Sequence, residues 1–137
     1  MAEQLVLHVE DDDASYFIFQ KLFEEICPDI RLERARDGAE ALALLEGFIL
    51  DPSIQVRLVL LDVFLPIVGG WEVLADIRAA EPLRDVSIVM FSGVFRDKDR
   101  ARCAALNVEY VEKPRELRDL VTFVKAICDR LMSSEVK

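Results

Sequence analysis

Short apolar runs and amphipathic stretches alternate five times along this chain, about 27 residues per unit over 137 residues. That alternation limits the possible folds more than any other feature. A strand that runs parallel to its predecessor needs a long crossover, and a helix supplies one. The pattern predicts an α/β protein, a doubly wound five-stranded parallel sheet with helices on both faces and right-handed crossovers. No stretch rich in Gly, Ser or Pro interrupts it, so residues 1–137 read as a single domain with no output domain after Lys137.

The units can be placed residue by residue. Leu5–Val9 (LVLHV), Val56–Leu61 (VRLVLL) and Val86–Phe91 (VSIVMF) are near-continuous apolar runs, as strands covered on both faces require. Ile30–Ala35 alternates and suits a strand nearer the sheet edge, and Tyr110-Val111 is a short fifth strand. Ala14–Cys27 carries Phe17, Ile18, Leu22, Phe23 and Ile26 at helical spacing, with Asp13 as its cap and Pro28 beyond its end. Asp37 with Glu40 forms a capping-box pattern for a helix to about Phe48. Ile49–Gln55 reads as a loop, and Gly47–Gln55 as a lengthened connection. A third helix runs from Trp71 to about Ala80 and a fourth over Asp97–Leu106. The last begins at Lys113-Pro114, with Leu117, Leu120, Val124, Ile127 and Leu131 on one face.

In such sheets the site lies beyond the carboxyl ends of the strands, where strand order reverses. The residues there are Glu10 and Asp11 after the first strand, Asp62 after the third, Ser92-Gly93 after the fourth and Lys113-Pro114 after the fifth. Carboxylates converging from two strands repel unless a cation sits between them. Oxygen donors suit a hard divalent ion such as Mg²⁺. One carboxylate can also serve as nucleophile toward a phosphoryl group, provided a metal, a lysine, a hydroxyl and a backbone N–H stabilise the charge. Asp62, Lys113, Ser92 and the Gly93 amide supply these parts.

The acidic pair in HVED, the aspartate in LVLLDVFLP, the hydroxyl in IVMFSG and the lysine in YVEKP together resemble a receiver (response regulator) domain of bacterial two-component signalling. The resemblance covers about Leu5 to Met132. It implies a flavodoxin-like sheet in the order 2-1-3-4-5. It implies that Asp62 accepts a phosphoryl group from a sensor histidine kinase or a histidine phosphotransfer protein, as in a phosphorelay. Asp11, Asp62 and the Phe64 backbone carbonyl would hold Mg²⁺, with Glu10 acting mostly through water. Ser92 and Lys113 would meet the phosphoryl oxygens. Tyr110 would be the rotameric partner of the switch, with plain packing as its alternative. The sequence departs from the usual pattern at Asp12 and Asp13, which extend the acidic pair, and at Leu65, Gly69 and Gly93. Asp12 reads as a second-sphere group and Asp13 as the helix cap. Phe64 and Val94 are apolar where the family often positions the hydrolytic water, so loss of phosphate should be slow. The protein is then not an enzyme beyond self-phosphorylation and slow autodephosphorylation. Phe64 also stands where an aspartate-nucleophile phosphatase commonly carries a second acid. The resemblance further implies output through a downstream protein effector, and it leaves homodimerisation through the last helix and strand open. Resembling sequences with a long connection before the third strand include partners of bacterial phytochrome-type kinases. The alternative function is a phosphorylation-independent scaffold or dimerisation module.

Composition bears on partners and compartment. The formal charge is -9, from 26 acids against 17 bases, which argues against direct nucleic-acid binding. The imbalance lies in residues 1–62, with 14 acids and 5 bases. The N-terminus lacks the basic region and apolar run of a signal peptide, and no apolar stretch is long enough for membrane insertion, so a cytoplasmic protein is expected. Cys27, Cys103 and Cys128 form no CxxC pair and read as reduced, buried thiols. His8 reads as a satisfied core residue.

Overall fold

The computed structural model describes residues 2–134. The expected lack of an output domain after Lys137 lies outside the described residues. The chain forms β1 (Glu3–Val9), α1 (Asp13–Ile26), β2 (Arg31–Ala35), α2 (Gly38–Ile49), β3 (Ile54–Leu61) and α3 (Gly70–Ala79). After a short 3-10 turn at Glu81–Leu83 come β4 (Ser87–Ser92), α4 (Asp97–Leu106), β5 (Glu109–Glu112) and α5 (Leu117–Ser134). All pairings are parallel, in the order β2-β1-β3-β4-β5.

Alternation along the strands explains the layers. Successive strand residues point to opposite faces. Leu5, Leu7, Val9, Val59, Leu61 and Met90 pack against Ala41 and Leu45 of α2, Val73, Leu74 and Ile77 of α3, and Cys103 of α4. Val6, Leu58, Leu60, Val89 and Phe91 pack against Phe19 and Phe23 of α1 and Val124, Ile127 and Leu131 of α5. Both faces of the central strands are thus covered, which is why their sequences are continuously apolar.

Several local readings are revised. The cap of α1 is Asp12, whose side chain accepts the Ser15 N–H at 2.9 Å. Asp13 is already helical, and it accepts hydrogen bonds from Arg34 and Arg36 at 2.8 Å each. The extended backbone needed at a cap falls one residue earlier than expected. Between α2 and β3 the connection is short, because the helix runs through Ile49 and the strand starts at Ile54. Asp51 closes that turn by accepting from the Ser53 N–H and hydroxyl. The helix after β5 begins at Leu117 rather than at Lys113-Pro114, leaving Lys113 on the extended backbone that leaves the sheet.

Two corrections concern single side chains. Cys27 and Cys128 are not separate thiols: they form a disulfide, with Cα atoms 5.7 Å apart across 101 residues of sequence. Spacing in the chain concealed this, because the pair meets only when α5 lies beside α1. Cys103 is free and buried, as expected. His8 is buried against Phe19 and Phe91, yet its Nδ1 has no partner among the described residues. Burial, with the Lys113 and Arg34 charges adding to it, lowers its pKa to about 3.

Candidate functional site

Parallel register brings the acidic residues together. Val9 pairs with Leu61 at the carboxyl ends of β1 and β3, so the next residues, Glu10 and Asp62, emerge side by side. Glu10 is buried, and its backbone carbonyl accepts Arg34 Nε at 3.0 Å. Its carboxylate accepts the Asp12 N–H at 3.2 Å and Lys113 Nζ. Asp62 is almost buried; one oxygen accepts the Phe64 N–H at 3.0 Å and the other Lys113 Nζ at 2.8 Å. Asp11 stands exposed at the rim. Glu10, Asp11 and Asp62 each offer an oxygen within 4.8 Å of the others.

Lys113 reaches this group because its backbone N–H donates to the Ser92 carbonyl at 2.8 Å, continuing the ladder from β4. Burial would pull its pKa down, but its hydrogen bonds to Asp62 and Glu10 outweigh that and hold it above the usual lysine range. Glu10 is raised by burial, against the opposing pull of Lys113. One ammonium therefore faces three carboxylates, a local surplus of two negative charges. At 4.8 Å, two such charges repel by roughly 3 kcal/mol at an effective dielectric of about 20. A group of hard oxygen donors this close together fits a divalent cation.

The remaining expected residues fall around this centre. Ser92 is buried at the end of β4, and Gly93 follows it on the surface. A Cβ at Gly93 would meet nothing within 4 Å, so that glycine answers no steric need. Phe64 is half exposed, with the Arg96 guanidinium 5.7 Å from its ring centroid. Tyr110 is also partly exposed and packs on Phe95 at 5.1 Å between ring centroids, away from the carboxylates' own contacts. Trp71 lies at the start of α3 as expected.

Sequence reasoning missed two supports of the site. One is Arg34, which ties β2 to both Glu10 and Asp13. The other is Gly70, where a Cβ would come 2.1 Å from the Asp62 carbonyl oxygen. The Gly69-Gly70 pair gave a turn signal, but not this close approach.

A family of response regulator receiver domains matches residues 6–125. The chain belongs to this receiver-domain family. It is therefore a receiver domain of two-component signalling, a class of domain that binds divalent metal and interacts with histidine kinases or phosphotransfer proteins. Among its relatives, the probable methanogenesis regulatory protein FilR2 of Methanothrix harundinacea is 35% identical over 90% of this chain and 80% of its own. The crystal structure of the phosphorylated cyanobacterial phytochrome response regulator RcpA superposes with a TM-score of 0.84 at 30% identity, covering 97% of this chain and 96% of that one. The manganese-bound form of response regulator Rcp1, from Synechocystis, gives 0.77 at 31%, covering 90% of each chain. The receiver's sheet order is that expected from sequence. No helix among the described residues is long and apolar enough to cross a membrane.

Proposed function

We propose that this receiver domain is a cytoplasmic response regulator that takes a phosphoryl group on Asp62 from the phosphohistidine of a sensor kinase or phosphotransfer protein. The observation that carries the reading is the convergence of Glu10, Asp11 and Asp62 around Lys113, which bonds two of the three. In the transfer an Asp62 oxygen forms the new O–P bond as the P–N bond to the donor imidazole breaks. The released imidazole then takes up a proton from solvent.

Each residue has a part in this. The Phe64 N–H bond on one oxygen and the Lys113 bond on the other orient the Asp62 carboxylate. Lys113, held protonated, can pair with the phosphoryl oxygens as they arrive. Ser92 and the Gly93 amide stand at the adjacent strand end to donate to those oxygens. Asp11, Asp62 and the Phe64 carbonyl are the residues that would hold Mg²⁺, with Glu10 acting through water, and the ion supplies charge neutralisation for the transferring group. Tyr110 and Ser92 carry the conformational change to a protein effector. Support comes from the relatives: RcpA is known phosphorylated and Rcp1 manganese-bound. Because RcpA is a phytochrome response regulator, a phytochrome-type kinase is the first donor to test.

Incubation with a small phosphoryl donor and Mg²⁺ should label the wild type and not Asp62→Asn. Equal labelling of the variant would overturn the acceptor assignment. An unlabelled wild type, with unchanged partner binding, would leave the phosphorylation-independent scaffold. Chasing the same sample without donor should show a lifetime well beyond seconds, since Phe64 and Val94 offer no polar group to the attacking water.

A further inference from the structure

Next to the acidic centre lies a cleft of opposite sign, about 400 Å³ in volume, between the start of α3 and the start of α4. Phe64, Trp71, Arg96, Lys98, Asp99 and Arg102 line it. Arg102 stacks over Trp71 at 4.6 Å from the ring centroid, and Arg96 lies 5.7 Å from that of Phe64. A guanidinium held on an aromatic face keeps its N–H edge free for a carboxylate. Asp99 is buried and accepts the Arg96 backbone N–H and Nε at 3.0 and 3.3 Å, so it offsets Arg96 and leaves Lys98 and Arg102 without a direct ion pair. Although the Lys98 charge acts on Asp99, no carboxylate among the described residues forms an ion pair with Lys98 or Arg102. That is unexpected in a chain with 26 acids against 17 bases.

Apolar side chains are exposed in the cleft and in the two loops that lead into it. Phe64 is 52% exposed and Val94 56%. The loop that carries Phe64 also holds Ile67 88% exposed, in the left-handed region at φ 67. A β-branched residue in that region is strained. Cations beside exposed aromatic and aliphatic groups match a partner that offers both carboxylates and an apolar side chain. Nucleic acid fits less well: it needs a long basic stripe, and here Glu72 and Asp97 adjoin the cleft residues in a chain of net charge -9.

We propose that this cleft docks an acidic segment of a partner protein, its carboxylates on Lys98 and Arg102 and an apolar side chain against Phe64 and Trp71. The site uses none of the Glu10, Asp11, Asp62 and Lys113 side chains, and it adjoins the phosphoryl site only through Phe64, whose backbone N–H bonds Asp62.

Trp71 is the chain's one tryptophan, so its fluorescence reports the cleft directly. The probe is a short synthetic peptide of glutamates around a single phenylalanine. Titration should shift the Trp71 emission, and added salt should weaken binding. Lys98→Ala and Arg102→Ala change exposed side chains and should each loosen binding roughly fivefold, with the double variant weaker still. Asp62→Asn should bind as the wild type does, which separates failure here from failure of the acceptor assignment. The proposal is overturned by no emission shift, by a double variant that binds like the wild type, or by a DNA oligonucleotide that binds more tightly than the peptide.

Discussion

Gly70 and Gly93 sit on either side of the same site and differ in what surrounds them. A Cβ on Gly70 would strike the Asp62 backbone, with the carbonyl oxygen at 2.1 Å, whereas one on Gly93 would meet nothing within 4 Å. Gly70→Ala should therefore cost roughly 3 kcal/mol or more, and Gly93→Ala should stay within about 0.5 kcal/mol, as read by urea unfolding. His8 makes a second prediction at this scale. Its pKa is about 3 in the folded protein against 6.5 unfolded. Between those values the unfolded chain binds the extra proton, so stability holds above pH 6.5 and falls as pH drops below it. From pH 6.5 to about 5 the loss should be about 2 kcal/mol, on the order of 1.4 kcal/mol per unit. His8→Phe should flatten that slope, and an unchanged slope would point to another group.

The elements show where local pattern suffices and where it does not. Helices α1 and α5 lie on one face of the sheet through Phe19, Phe23, Val124, Ile127 and Leu131, although Phe17 and Ile18 of the apolar set expected for α1 are exposed and Phe19 is buried instead. Their mutual position then joins Cys27 to Cys128. Linking residues 101 apart restricts the unfolded chain strongly. Cys128→Ser should lower stability by roughly 2–4 kcal/mol without reductant and leave it nearly unchanged with reductant, where the wild type also lacks the bond. Equal stability of the two proteins without reductant would show that the bridge does not form. The start of α5 departs from its local signal for a similar reason. Lys113 makes a sheet-type hydrogen bond to Ser92, and that tertiary bond overrides the helix-start signal of Pro114.

At the scale of the whole molecule, charge is the organising quantity. Five of the 14 acids in residues 1–62 are Glu10 to Asp13 and Asp62. The fold turns Asp12 to the cap of α1 and Asp13 to Arg34 and Arg36, leaving Glu10, Asp11 and Asp62 around Lys113. Their surplus charge opposes folding until a cation offsets it. Mg²⁺ at about ten times its dissociation constant should add about 1.4 kcal/mol of stability, seen as a higher melting temperature. Asp11→Asn should reduce that gain. A gain of the same size in Asp11→Asn would remove Asp11 from the metal site.

The order of strands and helices was legible in the sequence, because hydrophobic period and strand-end polar residues are local properties. So was the list of chemical groups at the strand ends: Glu10, Asp11, Asp62, Ser92 and Lys113. Which atoms of those groups meet was not legible. The sharing of Lys113 between Glu10 and Asp62, the Cys27–Cys128 bridge and the close approach at Gly70 each join backbone or side chains from separate elements. So does the stacking of Arg102 on Trp71. Such contacts depend on parallel register and helix placement, and only the tertiary structure decides those.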